Sequence, residues 1–214
     1  MQNPKVVLID YGMGNLLSVR RGLEHVGAEI CTTSDPDLIL NAERVVLPGV
    51  GAFPDAMDEL NRRDLVKTIR AVAHSGKPLL GICLGMHLLF ESSLEFNKTE
   101  GIGLIAGNVV PIPKVGTDAR LHKIPHIGWN ALLPSRNQLW SGGILAEIVP
   151  EEAAYFVHSF MAQPRDQSCR IADSYYGGIS IAAVVGQGNV IGCQFHPEKS
   201  GEVGLRILRS FLSI

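Results

Sequence analysis

The hydrophobic pattern changes character about halfway along the chain. The opening run Lys5-Val6-Val7-Leu8-Ile9-Asp10 is almost continuously apolar, the mark of a parallel strand covered on both faces. Residues 16–26 then repeat apolar positions at helical spacing, with Arg20, Arg21 and Glu24 on the outer side. Residues 28–32 predict a second strand, 35–40 a short helix and 44–47 a third strand. Helices over 53–61 and 65–75 lead to a fourth apolar strand at Pro78-Leu79-Leu80, and a further helix is expected through 86–90. The order βαβαβαβ predicts a mostly parallel, right-handed, doubly wound α/β sheet with helices on both faces.

After about residue 95 strands dominate. Residues 107–112, 127–132, 154–159, 171–176, 179–185 and 189–194 read as strands, with hairpin turns at Tyr175-Tyr176-Gly177-Gly178 and Gly186-Gln187-Gly188-Asn189. They are expected to extend the same sheet, partly antiparallel. Residues 202–212 predict a closing amphipathic helix. With no repeat or linker in 214 residues, a single domain over 1–214 is expected.

Composition narrows the function classes. A net charge of −2 offers no electrostatic footprint for nucleic acid or an acidic membrane surface. No apolar run approaches the ~20 residues a bilayer span needs, and Met1-Gln2-Asn3-Pro4-Lys5 has no signal-peptide anatomy. A cytoplasmic location is expected. The four cysteines, Cys31, Cys83, Cys169 and Cys193, lie far apart without a Cys-x-x-Cys pair, so neither a zinc site nor a disulfide framework is suggested. Cys31 and Cys193 read as small core residues of apolar strands, and Cys169 as a surface thiol.

Cys83 is different because of its surroundings. Gly81-Ile82-Cys83-Leu84-Gly85 follows a buried strand and opens a helix, a thiol version of the Gly-x-Ser-x-Gly nucleophile elbow. The strained turn pushes the middle side chain out at the end of a sheet, and the helix start favours the thiolate that attacks carbonyls. Far downstream, Val190 to Phe195 runs into His196-Pro197-Glu198. In an extended segment, alternate residues point the same way with Cα atoms ~6.5 Å apart. Glu198 can then accept from one imidazole nitrogen while the other faces a nucleophile, and Pro197 is expected to stiffen that extended geometry. Pro48-Gly49-Val50-Gly51 closes the third strand at the same sheet edge, where backbone N–H groups can meet a developing oxyanion.

Two other patterns fall away. Gly12-x-Gly14 after the first strand lacks the third glycine of a dinucleotide fingerprint, whose place is taken by Leu17; a turn with Asn15 as helix N-cap is the simpler account. His122 and His126 have the spacing of helical metal ligands, but Pro125 between them argues against a helix, so no metal site and no cofactor is expected. His25 and His74 are expected on solvated helix faces.

Taken together, Gly81–Met86 and Phe195-His196-Pro197-Glu198 resemble the Cys-His-Glu triad of class I glutamine amidotransferases. The finer resemblance is to the glutaminase subunits of imidazole glycerol phosphate synthases. It is carried by Asp10-Tyr11-Gly12-Met13-Gly14-Asn15-Leu16, Pro48–Phe53, Pro125-His126-Ile127-Gly128-Trp129-Asn130, Tyr155–Ser159 and Gln194–Ser200. The resemblance implies that Cys83 attacks the carboxamide of L-glutamine, that His196, oriented by Glu198, protonates departing ammonia, and that a γ-glutamyl thioester is then hydrolysed. It implies an oxyanion site at the backbone N–H of Leu84 and one from the Gly51 region, with reorientation of that segment prompted by a partner. Glutamine would be held around Gly49, His87, Glu95, His158 and Ser159. At His87 relatives commonly carry Gln, and histidine can likewise donate and accept. The implied partner is a cyclase subunit of (β/α)8 type forming a heterodimer, in which ammonia converts PRFAR to imidazole glycerol phosphate and AICAR for histidine. Asn15, His126, Trp129 and Lys199 would line or approach that interface. A paralogue feeding another synthase, such as one amidating a surface-polysaccharide sugar, and a Cys-His peptidase or γ-glutamyl hydrolase stay open on sequence alone.

Overall fold

The computed structural model describes residues 3–135 and 140–214. Its first half follows the apolar rhythm of the chain: β1 (Lys5–Ile9), α1 (Leu16–His25), β2 (Glu29–Thr33), α2 (Pro36–Leu40), β3 (Arg44–Leu47), α3 (Phe53–Arg62), α4 (Leu65–His74) and β4 (Leu79–Ile82). β1 pairs in parallel with both β2 and β3, and β3 with β4. Asn15 caps α1 as expected, its side chain accepting from the Ser18 N–H at 3.3 Å.

Alternate strand residues feed two helical layers. Val7, Ile9, Val45, Leu47 and Leu79 pack on one side with Phe53, Leu60 and Ile69 of α3 and α4. Val6, Leu8, Val46, Leu80 and Ile82 pack on the other with Leu23 of α1 and with Ile207, Leu208 and Phe211 of the closing helix, α6 (Gly201–Leu212). The helix after β4 is shorter and earlier than expected. It forms α5 (Leu84–Leu88), and Phe90 already opens a strand, β5 (Phe90–Ser93), that pairs in parallel with β7 (Ile105–Pro111).

The second half extends the main sheet only in part. β12 (Arg170–Tyr176), β13 (Ile179–Gln187) and β14 (Val190–Cys193) join it, with the short β9 (Leu133–Pro134) at the far end, in the order β2-β1-β3-β4-β14-β13-β12-β9. β14 is parallel to β4 and antiparallel to β13. β8 (His126–Ala131) and β10 (Ala153–His158), expected in that sheet, pair with each other instead. β7 lies in a third sheet between β5 and β11 (Phe160–Pro164), with β6 (Thr99–Glu100) at its edge. The cause is geometric: β3 and β14 occupy both sides of β4, so strands made in between have no open edge beside it.

Two cysteine expectations are corrected. Cys31 is exposed, because β2 is the sheet edge and its residues are largely uncovered. Cys169 is buried in the core, because a single 3-10 turn, Gln167–Cys169, folds it back before β12. Cys193 is fully buried, as read from its strand. No helix among the described residues is long and apolar enough to cross a membrane.

Phe211 is fully buried between α6 and the sheet. Phe211→Ala is expected to cost about 3–5 kcal/mol of unfolding free energy, read by urea denaturation; a loss under about 1 kcal/mol would show that this layer repacks freely.

Candidate active site

β4 ends at Ile82, and Cys83 turns the chain with φ 54° and ψ −109°, a strained conformation for any residue with a side chain. Two close approaches enforce the turn. A Cβ on Gly85 would stand 1.9 Å from the Leu47 carbonyl oxygen, and one on Gly81 2.7 Å from the Gly85 carbonyl oxygen. Only glycines at both places let β3, β4 and α5 meet. The Cys83 N–H donates to the Cys193 carbonyl at 2.7 Å, tying the elbow to β14.

β14 leads to His196, whose Nδ1 lies 2.8 Å from Glu198 Oε1, the two side chains 3% and 0% exposed. The geometry that brings them together differs from the expected extended segment. His196 is extended (φ −99°, ψ 97°), but Pro197–Lys199 form one 3-10 turn. Proline suits the first position of such a turn, and the turn folds the Glu198 carboxylate back under the ring.

Cys83 and His196 line one cavity of about 320 Å³, together with Gly51, Leu84, His87, Glu95, His158, Ser159 and Lys199. Burial opposes an imidazolium at His196, but Cys83 and Glu198 outweigh it and push its pKa up to about 9. His196 Nε2 is buried and has no hydrogen-bond partner among the described residues. The Cys83 thiol instead makes a loose contact with the Val157 carbonyl at 3.9 Å. Thiol and base therefore share the cavity with the base's second nitrogen uncommitted.

The other imidazoles are held neutral. His87 Nε2 is 2.7 Å from Gln194 Oε1; an amide oxygen only accepts, so Nε2 carries the proton. Burial pushes the His87 pKa down to about 4. His158 is pushed to about 3, chiefly by burial. Gln194, fully buried, is a contributor to the site that the sequence reading did not single out. Its signal was a lone amide inside the apolar run from Val190 to Phe195.

The remaining expected residues fall as follows. Glu95 lies at the cavity with Oε2 accepting from the Phe53 N–H at 2.8 Å. Burial raises its carboxyl above the usual range, Asp55 adds to this and the Phe53 N–H opposes it. Leu84 is the first residue of α5, and Ser159 follows β10. Gly51 has φ 109°, a backbone conformation that side chains disfavour. Gly49 is outside the cavity lining; a Cβ there would meet Gly85 N and the Tyr11 hydroxyl at 2.8 Å. That hydroxyl donates to the Pro48 carbonyl at 2.9 Å and so pins the start of the Pro48–Gly51 segment. Asn15 is spent on its cap, Lys199 is exposed at the cavity, and Trp129 stands 57% exposed on β8. His126, expected at or near the same surface, faces inward and is 2% exposed. Among the described residues no group of three His, Cys, Asp or Glu could hold a metal ion.

Three comparisons bear on this geometry. Residues 7–214 match the family model described as glutamine amidotransferase class-I. The chain is 51% identical over 210 residues to the imidazole glycerol phosphate synthase subunit HisH 1 of Legionella pneumophila (strain Lens), covering 98% of this chain and 99% of that protein. It is 47% identical over 210 residues to the subunit HisH of Geobacillus sp. (strain WCH70), covering 97% and 95%. Among solved structures, PurLQS from Thermotoga maritima aligns with a TM-score of 0.72 at 20% identity over 99% of this chain and 98% of that one. A crystal structure of a glutamine amidotransferase aligns at 0.71 and 16% identity, covering 97% and 99%. These two likenesses concern the fold.

The raised His196 pKa has a stability consequence. The folded state binds this proton more tightly than the unfolded chain, so its contribution is fully present below the unfolded value near ~6.5 and is lost as pH rises through about 9. Between those limits the unfolding free energy of the native chain should fall relative to that of His196→Asn, followed by urea denaturation at stepped pH. Parallel curves for the two proteins would mean that His196 is not held protonated.

Proposed function

Since the chain belongs to the class-I glutamine amidotransferases, we propose that Cys83, His196 and Glu198 are the catalytic triad by which it releases ammonia from glutamine. The chain is the glutaminase subunit of an imidazole glycerol phosphate synthase, in histidine biosynthesis. The observation that carries the residue assignment is the strained Cys83 turn facing, across one cavity, a buried imidazole whose other nitrogen is bonded to Glu198.

The steps follow from that geometry. Cys83 Sγ, as thiolate, attacks the side-chain carboxamide carbon of glutamine. His196, the only one of the cavity's imidazoles whose pKa is pushed upward, passes its proton to the nitrogen as the C–N bond breaks and ammonia leaves. A γ-glutamyl thioester forms. Water attacks it, His196 takes the water's proton, and glutamate departs as the thiolate returns. The negative oxygen of each tetrahedral intermediate would sit near the Leu84 N–H and an N–H of the Gly49–Gly51 segment. Glu95 and the Ser159 backbone suit the α-amino and α-carboxylate ends, and His87 supports the pocket through Gln194.

Ammonia released into water at neutral pH becomes ammonium, which is no nucleophile. A sealed partner is therefore part of the reading: a (β/α)8 cyclase subunit, joined in a cytoplasmic heterodimer, that consumes ammonia to convert PRFAR to imidazole glycerol phosphate and AICAR. The exposed apolar pair Ile127 and Trp129 on β8, with Lys199 and the Asn15 loop, suits its docking. The whole matched region would act as one amidotransferase domain.

Glutamate release from glutamine, measured with and without the cyclase and its nucleotide ligand, tests this reading. Activity should be low alone, rise strongly in the complex, and fall by roughly 10³-fold or more in Cys83→Ala. Full activity in that variant would remove the nucleophile assignment. Glu95→Gln in the complex should raise KM for glutamine by about tenfold with kcat little changed, because it removes ground-state binding; an unchanged KM would place the α-amino group elsewhere.

A further inference from the structure

His126 and Asn130 belong to the Pro-His-x-Gly-Trp-Asn stretch, yet neither lines the cavity. Both sit on β8, whose outward residues Ile127 and Trp129 are each 57% exposed, while His126 points inward and pairs in register with His158 at the end of β10. Their hydrogen bonds form a chain with only one consistent proton assignment. Asn130 Nδ2 donates to the Tyr175 carbonyl at 2.7 Å, which identifies that atom as the amide nitrogen, and lies 3.3 Å from His126 Nε2. His126 Nε2 must then be the acceptor, so a neutral His126 carries its proton on Nδ1. Nδ1 is 3.0 Å from His158 Nε2. The other end closes independently. His158 Nδ1 is 2.7 Å from the Phe160 carbonyl, which can only accept, so Nδ1 is protonated and Nε2 is free to accept from His126. Burial keeps both rings neutral, His126 at about 4 and His158 at about 3. From Asn130 through His126 and His158 to the Phe160 carbonyl, each link of the relay thus donates in the same direction, from β8 to the turn between β10 and β11.

We propose that Asn130 and His126 are positioning residues for glutamine binding: their one-way relay fixes the His158 tautomer that clamps the Phe160 carbonyl, and so holds the His158–Ser159–Phe160 wall of the cavity. This rests on the glutaminase reading above. The relay also defines how His158 meets substrate. Both of its ring nitrogens are engaged within the protein, so it offers glutamine its backbone and a neutral ring face. A second charged imidazole beside His196 would repel the proton that catalysis needs, and the relay excludes it. The route outward is continuous, because His126 stacks between Tyr176 at 4.1 Å and Phe156 at 4.9 Å, and Phe156 contacts Phe195 next to His196. A partner seated on Ile127 and Trp129 would bear on the strand that carries the relay's donor.

Two substitutions separate hydrogen bonding from packing. His126→Phe keeps a ring between Tyr176 and Phe156 but deletes the donor to His158. His126→Asn loses the stack but places an amide N–H near the position of Nδ1. Glutamine KM is measured in the cyclase complex, where it does not depend on the folded fraction. Leaving the buried His158 acceptor unsatisfied should raise KM by about tenfold or more in His126→Phe, with kcat changed much less, and His126→Asn should stay within about threefold of the native value. The opposite order, or a native KM in His126→Phe, overturns the proposal. Side-chain 15N spectra of the free chain read the relay itself and do not depend on activity. They should show protonated Nδ1 and unprotonated Nε2 for both His126 and His158. Protonated Nε2 on either ring would overturn the relay even if the glutaminase reading held, whereas a complex that releases no glutamate from glutamine would remove that reading with the relay intact.

Discussion

The site depends on one contact that leaves no room for a side chain. Gly85 lies so near β3 that a Cβ would stand 1.9 Å from the Leu47 carbonyl oxygen. This approach lets α5 start directly under the end of β3, forces Cys83 into its positive-φ turn, and sets the elbow against the Pro48–Gly51 segment. Those peptides are then held from two sides, by α5 beneath and by Tyr11 through the Pro48 carbonyl. The proposed nucleophile and the candidate oxyanion donors are consequences of a single packing constraint, and the strain at Cys83 persists because the surrounding sheet over-determines it.

Electrostatics then divides similar groups into different roles. Four imidazoles, His87, His126, His158 and His196, lie buried within or next to the cavity. Burial alone would leave all of them neutral. Only His196 stands beside Glu198 and Cys83, and only its pKa moves up. His87 faces an amide, and His126 and His158 face each other, a carbonyl and an amide. The proposed acid–base residue is thus set apart by what stands beside its ring, since all four are similarly shielded from water.

Much of this was visible in the residues. The continuous apolar runs and the glycines between them marked the parallel strands, and two distant short motifs named the residues of the proposed triad, which line or flank one cavity. What escaped depended on three-dimensional pairing. No local pattern showed that β8 and β10 would pair with each other, because that followed from both sides of β4 being taken. The His-Pro-Glu segment looked extended by composition but closes as a 3-10 turn, since Pro197 serves helix starts as readily as strands. Gln194 and the relay through His126 become apparent only when partners 32 and 107 residues apart are seen together. Cys31 and Cys169 exchanged places for two reasons of this kind: β2 becomes the sheet edge, and the 3-10 turn before β12 folds Cys169 into the core.

In the proposed mechanism Cys83 is acylated during turnover. The direct measurement is acid quenching of the cyclase complex while it turns over glutamine, followed by proteolysis and mass spectrometry of the peptide containing Cys83. The expected result is a mass increase of one γ-glutamyl group on that cysteine, labile to hydroxylamine and absent without glutamine. An unmodified Cys83 during steady turnover, or the same group on Cys31, Cys169 or Cys193 instead, would remove Cys83 as the nucleophile.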